Sequence, residues 1–423
     1  MQYSDKRIQA ALIILLFLFI TLLSGKMPGH WGDVDLWGAW STYNMKHGLW
    51  NAYGSGTDYT PLYQYVLWLF GKIQGSEESI RHYIGFIRVF TLLAEFLGLY
   101  LVYRWMDRKW DYVVLLLISM FNLAYSYNTI IWCQCDAILA SAVFAAFYCL
   151  YRGKMVLSGL MLILMVNMKL QGIVLVPLWG LLAIEYIART RRWRDIPYTL
   201  LAIVALQVLI LAPFAFGGGG LAQIWKKVYG LVGAAPYISM NAFNLWYLVV
   251  PDLPGKQDDA VAIGRFTYNQ IGLILFCVGS FLAFLPLLFV TIRQVFRKKQ
   301  HEPAPAPSRV LIWLTAALLV MLFFFFNTQM HERYSHPAFI FITAYAFYTR
   351  RFGLYTLFSI AYFLNLEKVL RWFALKNYET AIFDARFVAT LFAICIVWTG
   401  VLLYRTARHE TREEHTGALA GGS

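Results

Sequence analysis

Five sets of polar residues interrupt an otherwise apolar chain, and their side chains are the kinds that move protons and hold phosphate. The first is Gly32-Asp33-Val34-Asp35, continued by Gly56-Thr57-Asp58-Tyr59-Thr60-Pro61. The second is Trp132-Cys133-Gln134-Cys135-Asp136, and the third is Asn167-Met168-Lys169-Leu170-Gln171. The fourth is Asn241-Ala242-Phe243-Asn244-Leu245-Trp246. The fifth runs from Thr328 through His331-Glu332-Arg333-Tyr334 to Pro337. Asp33, Asp35 and Asp58 are the candidate catalytic carboxylates. A carboxylate can take the proton of a hydroxyl as that hydroxyl attacks carbon. Lys169, His331 and Arg333 are suited to a phosphate whose negative charge grows as it leaves. Tyr59, Gln134, Asp136, Gln171, Asn241, Asn244, Trp246, Glu332 and Tyr334 complete the set as candidate substrate contacts. Each has a plainer alternative. Asp33 and Asp136 can cap helices, Lys169 can snorkel, Trp246 can anchor at an interface, and residues 331–333 can pair internally.

The elements that must position these residues are membrane helices. The 423 residues are 60% hydrophobic and only 14% charged, against about a quarter charged in a soluble domain. Apolar runs long enough to cross a bilayer recur, and in lipid each must be helical. The expected spans are 8–24, 83–103, 112–130, 135–151, 155–168, 171–188, 196–214, 269–292, 310–328, 336–349, 352–370 and 387–404. The expectation is an all-α polytopic membrane protein of about 12 transmembrane helices, with short amphipathic helices in the outer loops. Residues 1–405 form one transmembrane domain, and 406–423 a disordered tail.

Basic clusters fall on every second connector, from Lys6/Arg7 to Arg405/Arg408. This pattern places both termini in the cytoplasm and the polar sets on the extracytoplasmic face of the cell (inner) membrane. The net charge of +13 is then read as topology charge touching membrane lipids, with no nucleic-acid partner. Two outer loops are long, 25–82 and 215–268, and would cap an active site. Within the first, residues 35–48 are expected to lie in the interface with Leu36, Trp37, Trp40 and Tyr43 on one face. Residues 301–308 read as a Pro-rich linker. The five cysteines form no disulfide or zinc pattern. No P-loop, zincin or nucleophile-elbow motif is present.

Outside the cell nucleotide sugars are lacking, so a phosphate-linked lipid sugar becomes the expected donor. The expected reaction is an inverting transfer of a hexose from a polyprenyl phosphate to a hydroxyl. A nearby carboxylate would stabilise an oxocarbenium-like transition state. No cofactor is expected, apart from a weak divalent cation between Asp33 and Asp35. A monomer is expected. The alternative is a transporter or flippase of a lipid-linked sugar, for which Arg88 and Glu95 are the intramembrane charges to watch.

These motifs resemble those of the GT-C glycosyltransferases. Asp33-Val-Asp35 followed by Asp58-Tyr-Thr-Pro61-Leu-Tyr63 is similar to their acidic first-loop motif and Asp-Tyr-Pro-Pro-Leu segment. Trp132 to Asp136 resembles Trp-Gly-Gln-x-Asp, and Lys169-Leu-Gln171 with Pro177 resembles Lys-x-Gln…Pro. Asn241 to Trp246 and His331 to Tyr334 resemble motifs of bacterial relatives of GPI mannosyltransferases. The resemblance implies a polyprenyl-phosphate-sugar donor, often mannose, and a glycolipid or glycan acceptor. By likeness to dolichyl-phosphate glucosyltransferases it implies Asp33 as base, while relatives acting on phosphatidylinositol mannosides keep Asp58 in view. Thr60 stands where Pro is usual, and Cys133 where Gly is usual.

Overall fold

A computed structural model describes residues 6–217, 220–230, 236–296 and 306–420. It is a helical membrane protein whose only strands, among the described residues, are four short pieces at the end that carries the polar sets. Among the described residues, seven helices are long and apolar enough to cross a bilayer, from Lys6–Gly25 to the stretch Ala385–Glu410, and the pair Tyr112–Met120 and Leu123–Ile131, bent by 72°, makes an eighth if its two pieces form one span. The break sits at Asn122, whose side chain accepts from the amides of Ala124 and Tyr125 and so starts a new helix.

The expected count of 12 crossings is not reached by length and composition. Residues 136–151, 155–168 and 338–349 are helical as expected, but they are shorter helices. The reason is position. Ala338–Thr349 is almost wholly buried among its neighbours, and Arg309–Phe326 runs through the middle of the bundle. Lys6–Gly25 and Asp195–Ala215, by contrast, leave most of their Leu, Ile and Val side chains exposed, as lipid-facing helices do. Prolines inside two helices free carbonyls that tyrosines then take up. Pro213 releases the carbonyl of Leu209, and Tyr65 Oη lies 3.4 Å from it and 2.9 Å from that of Ile210. Pro286 releases the carbonyl of Leu282, which accepts from Tyr404 Oη at 2.7 Å. In lipid such groups have no other partner.

Two expectations change at the ends of elements. The last helix continues to Ala420, past the expected end of the transmembrane domain at 405. Its Arg, Glu and Ala residues are good helix formers that simply extend the span. Of the 301–308 linker, residues 301–305 lie outside the described residues.

The cap is built from residues 31–74. His30 caps the helix Trp31–His47, its Nδ1 accepting from the amide of Asp33. The helix therefore starts four residues earlier than expected. Its buried face is Val34, Trp37, Trp40, Ser41 and Asn44, while Leu36 is exposed and Tyr43 half-buried. The following helix, Pro61–Gln74, opens with proline in its first turn. It packs so closely on the first that a Cβ at Gly71 would sit 2.6 Å from the Ser41 carbonyl. The second long loop pairs Ser239–Met240 with Met330–His331 in parallel and adds the hairpin Val261–Ile263 and Phe266–Thr267.

Candidate active site

The cap and the helix ends enclose a cavity of about 610 Å³. Asp33, Asp58, Tyr59, Lys169, Gln171, His331, Arg333 and Tyr334 all line it. Four segments far apart in sequence thus meet in one place. Leu170, Ile173, Val174, Val228 and Phe323 form an apolar part of the wall.

Beneath the cavity lies an ion cluster. Asp136 opens the helix Asp136–Tyr151 and is fully buried. Its Oδ1 is hydrogen-bonded to Lys169 Nζ and lies 3.4 Å from Gln171 Nε2. Its Oδ2 accepts from Asn128 Nδ2 at 3.0 Å and lies 3.8 Å from Arg333 Nε. Glu332, also buried, accepts from Arg333 Nη1 at 2.6 Å. The Arg333 guanidinium sits 5.7 Å over the Trp132 ring, and Lys169 Nζ 5.5 Å from the Tyr59 ring centre. Unpaired, each of these buried charges would be costly. Together they fix two cations while sparing donors. Lys169 spends two of its three hydrogens, on Asp136 and on Gln134 Oε1 at 3.3 Å. Arg333 Nε is buried beside Asp136, whereas Nη2 makes no hydrogen bond among the described residues and is not a buried orphan. A phosphate is the natural taker of such donors.

The two carboxylates differ. Asp33 Oδ2 accepts from Gln134 Nε2 at 2.7 Å and Trp132 Nε1 at 2.9 Å, and His30 Nδ1 lies 3.3 Å away. Burial alone would raise its carboxyl. The Arg333 charge and the bonds from Trp132 and Gln134 outweigh that and hold it well below the usual carboxylate range, while His30 Nδ1 accepts from the Asp33 amide and donates nothing to the carboxylate. Asp58 reaches solvent at the cavity and accepts no side-chain hydrogen bond. Desolvation by the surrounding wall raises its carboxyl, with the Asp33 charge adding to it. Its own backbone and the Lys169 and Arg333 charges only partly oppose this. Asp33 is thus a fixed anion and Asp58 a freer, more basic one.

Several expected contacts serve elsewhere. Asp35 is exposed and does not line the cavity. The helix already runs from Trp31, so side chains two apart point in different directions and no Asp33/Asp35 cation pair forms. Among the described residues no group of three His, Cys, Asp or Glu side chains is placed to hold a metal. Gln134, Asp136 and Glu332 support the lining rather than form it. Asn244 and Trp246 grip the end of the helix Arg309–Phe326. Asn244 Nδ2 donates to the Phe324 carbonyl at 3.2 Å, and Trp246 Nε1 to the Phe326 carbonyl at 3.1 Å. Asn241 bridges to His331, and its carbonyl accepts from Asn365 Nδ2 at 2.8 Å. These residues aim the 327–333 segment.

Sequence reasoning missed His30, Asn269, Asn327, Asp258 and the polar chain below Asp136. In that chain Asn128 links Asp136 to Tyr362, and Tyr362 meets His336 Nδ1 at 3.2 Å. His336 is fully buried. Asp258 and the chain below Asp136 act through partners distant in sequence and leave no local signal, whereas His30 acts locally, on the Asp33 amide.

Both departures from the family pattern have a structural reading. Thr60 Oγ1 donates to the Met168 carbonyl at 2.6 Å, tying the Asp58 loop to the residue before Lys169. Cys133 has φ of 72°, the left-handed region that glycine occupies at no steric cost. Cys133→Gly should therefore keep full activity and raise thermal stability by roughly 1 kcal/mol, the cost of a left-handed side chain. Melting in detergent would check it, and a fall in melting temperature would refute the strain argument.

No curated protein matches the chain. Residues 59–247 match the family model described as glycosyltransferase family 87. This stretch, a little under half of the chain, is similar to that family of glycosyltransferases.

Proposed function

We propose that this protein is an inverting glycosyltransferase on the extracytoplasmic face of the cell membrane. It moves a hexose, mannose by its motifs, from a polyprenyl phosphate to a hydroxyl of a glycolipid or glycan. One observation carries the reading. A single cavity holds a free carboxylate, a fixed carboxylate and two cations with spare donors. The apolar wall at Leu170, Ile173 and Val174 suits the lipid tail. The enzyme acts as a monomer without a cofactor.

The chemistry follows from the groups. The acceptor oxygen attacks the anomeric carbon, its proton passes to Asp58, and the carbon–oxygen bond to phosphate breaks on the opposite face. Polyprenyl phosphate leaves with its charge taken up by Lys169 and Arg333, with His331 beside them. Asp33 stays ionised and offers its unbonded Oδ1 to the positive charge that develops on the sugar. The intramembrane charges that a transporter would use sit elsewhere. Arg88 is held by the Met27 and Gly85 carbonyls and Glu95 by Thr129, and neither lines the cavity.

Transfer from polyprenyl-phosphate-mannose with a lipid-extract acceptor tests this. Asp58→Asn should lose about 10²–10⁴ in kcat, the usual share of a general base. Asp33→Asn should keep measurable turnover. The base works only when deprotonated. Because its carboxyl is raised, kcat/KM should fall as pH drops through a value above the ordinary ~3.9. Turnover that survives Asp58→Asn but not Asp33→Asn would reverse the assignment. For sidedness, Asp35→Cys should retain activity and react with an impermeant maleimide added outside intact cells. Reaction only after lysis would overturn the topology.

A further inference from the structure

Part of the cavity wall is polar but uncharged. It consists of Asn269, Asn327, Thr328 and Gln329, and one buried carboxylate organises it. Asp258 Oδ2 accepts from Thr328 Oγ1 at 2.7 Å, Gln329 Nε2 at 2.8 Å and Asn269 Nδ2 at 3.0 Å. Asn269 Nδ2 also reaches Thr328 Oγ1 at 3.1 Å. The backbone fixes Asp258 in turn, its amide donating to the Pro236 carbonyl at 2.8 Å and its carbonyl accepting from the Asn269 amide at 3.0 Å. Asn327 spends its own amide nitrogen on the Phe323 carbonyl at 3.0 Å.

These bonds fix the polarity of the wall. A carboxylate and a carbonyl can only accept, so the amide groups of Asn269 and Asn327 must turn their nitrogens toward them. Both Asn269 amide hydrogens, the Thr328 hydroxyl hydrogen and one of the two Asn327 amide hydrogens are therefore spent inside the protein. Among the described residues the Oδ1 atoms of Asn269 and Asn327 accept no protein hydrogen bond, and neither is a buried orphan. The wall offers acceptors, backed by a buried negative charge. An anion is repelled there, and an apolar group would strand those oxygens. A cation is disfavoured by Lys169 and Arg333 in the same cavity. What satisfies such a wall is a neutral ligand with several hydroxyl donors.

We propose that the Asn269–Asn327–Thr328 wall, positioned by Asp258, is a carbohydrate subsite that holds the sugar of the acceptor by its hydroxyls. It rests on the glycosyl-transfer reading above, because it gives that reaction's acceptor its chemical class. The donor phosphate goes to the cations and the acceptor polyol to the oxygens, so charge sorts the two substrates within one cavity.

The test is photolabelling of the full-length purified chain with an octyl mannobioside that carries an aryl diazirine. Label should map to 265–272 and 325–331, be competed by methyl mannobioside, and persist with excess polyprenyl phosphate. Asn269→Leu and Thr328→Val should each cut it roughly fivefold to tenfold, the worth of a hydrogen bond left unmade. Thr328→Ser, which keeps the hydroxyl, should restore it, and this separates recognition from loss of fold. Label elsewhere, or undiminished in the variants, overturns the subsite. Displacement of the label by polyprenyl phosphate would give the wall to the donor and equally overturn it. Polyprenyl phosphate binding is read separately by native mass spectrometry, and its failure would count against the donor reading alone.

Discussion

Everything at the cavity depends on how a membrane bundle keeps two cations buried without leaving them bare. Asp136 solves this from below. As the first residue of a helix, beneath the floor of the cavity, it bonds Lys169 and stands 3.8 Å from Arg333. Glu332 completes the neutralisation of Arg333. Water cannot do this job at such depth, and an unpaired charge there would be strongly destabilising. The cations are consequently held in one geometry before any ligand arrives, which is what a phosphate leaving group needs. The rest of the site hangs on the same atoms. Gln134 bridges Lys169 to Asp33, and Trp132 lies against both Arg333 and Asp33.

The cap contributes the opposite quality. Asp58 comes from a loop, accepts no side-chain bond and keeps a raised carboxyl. Asp33 comes from a helix and is gripped on one oxygen. Two carboxylates of the same type thus acquire different chemistry from their supports alone. Asp258 extends the pattern to the far wall, where a third carboxylate consumes donors so that oxygens remain. Separate regions of one cavity are tuned by buried anions toward different ligands.

Much of this was legible in the sequence. Residues 33, 58, 169, 171, 331, 333 and 334 stood out because polar side chains between apolar runs need a reason, and the fold gathers all of them. What failed had local causes. A cation between Asp33 and Asp35 needs both carboxylates on one side, but His30 starts the helix at Trp31 and turns them apart. Asn244 and Trp246 were read as contacts because motif residues invite that reading. They instead hold carbonyls at the end of a neighbouring helix. Asp258 left no mark, since its three partners are 11, 70 and 71 residues away. The count of 12 spans is not confirmed, because runs such as 338–349 are equally apolar whether they face lipid or other helices.

The most direct measurement is a cryo-electron microscopy structure of the full chain with polyprenyl-phosphate-mannose bound. The account predicts the phosphorus between Lys169 Nζ and the Arg333 guanidinium. The anomeric carbon should face Asp58, and the polyprenyl chain should leave past Leu170 and Ile173. A phosphate held at the Asp258 wall, or at the opposite end of the bundle near Arg405 and Arg408, would contradict it.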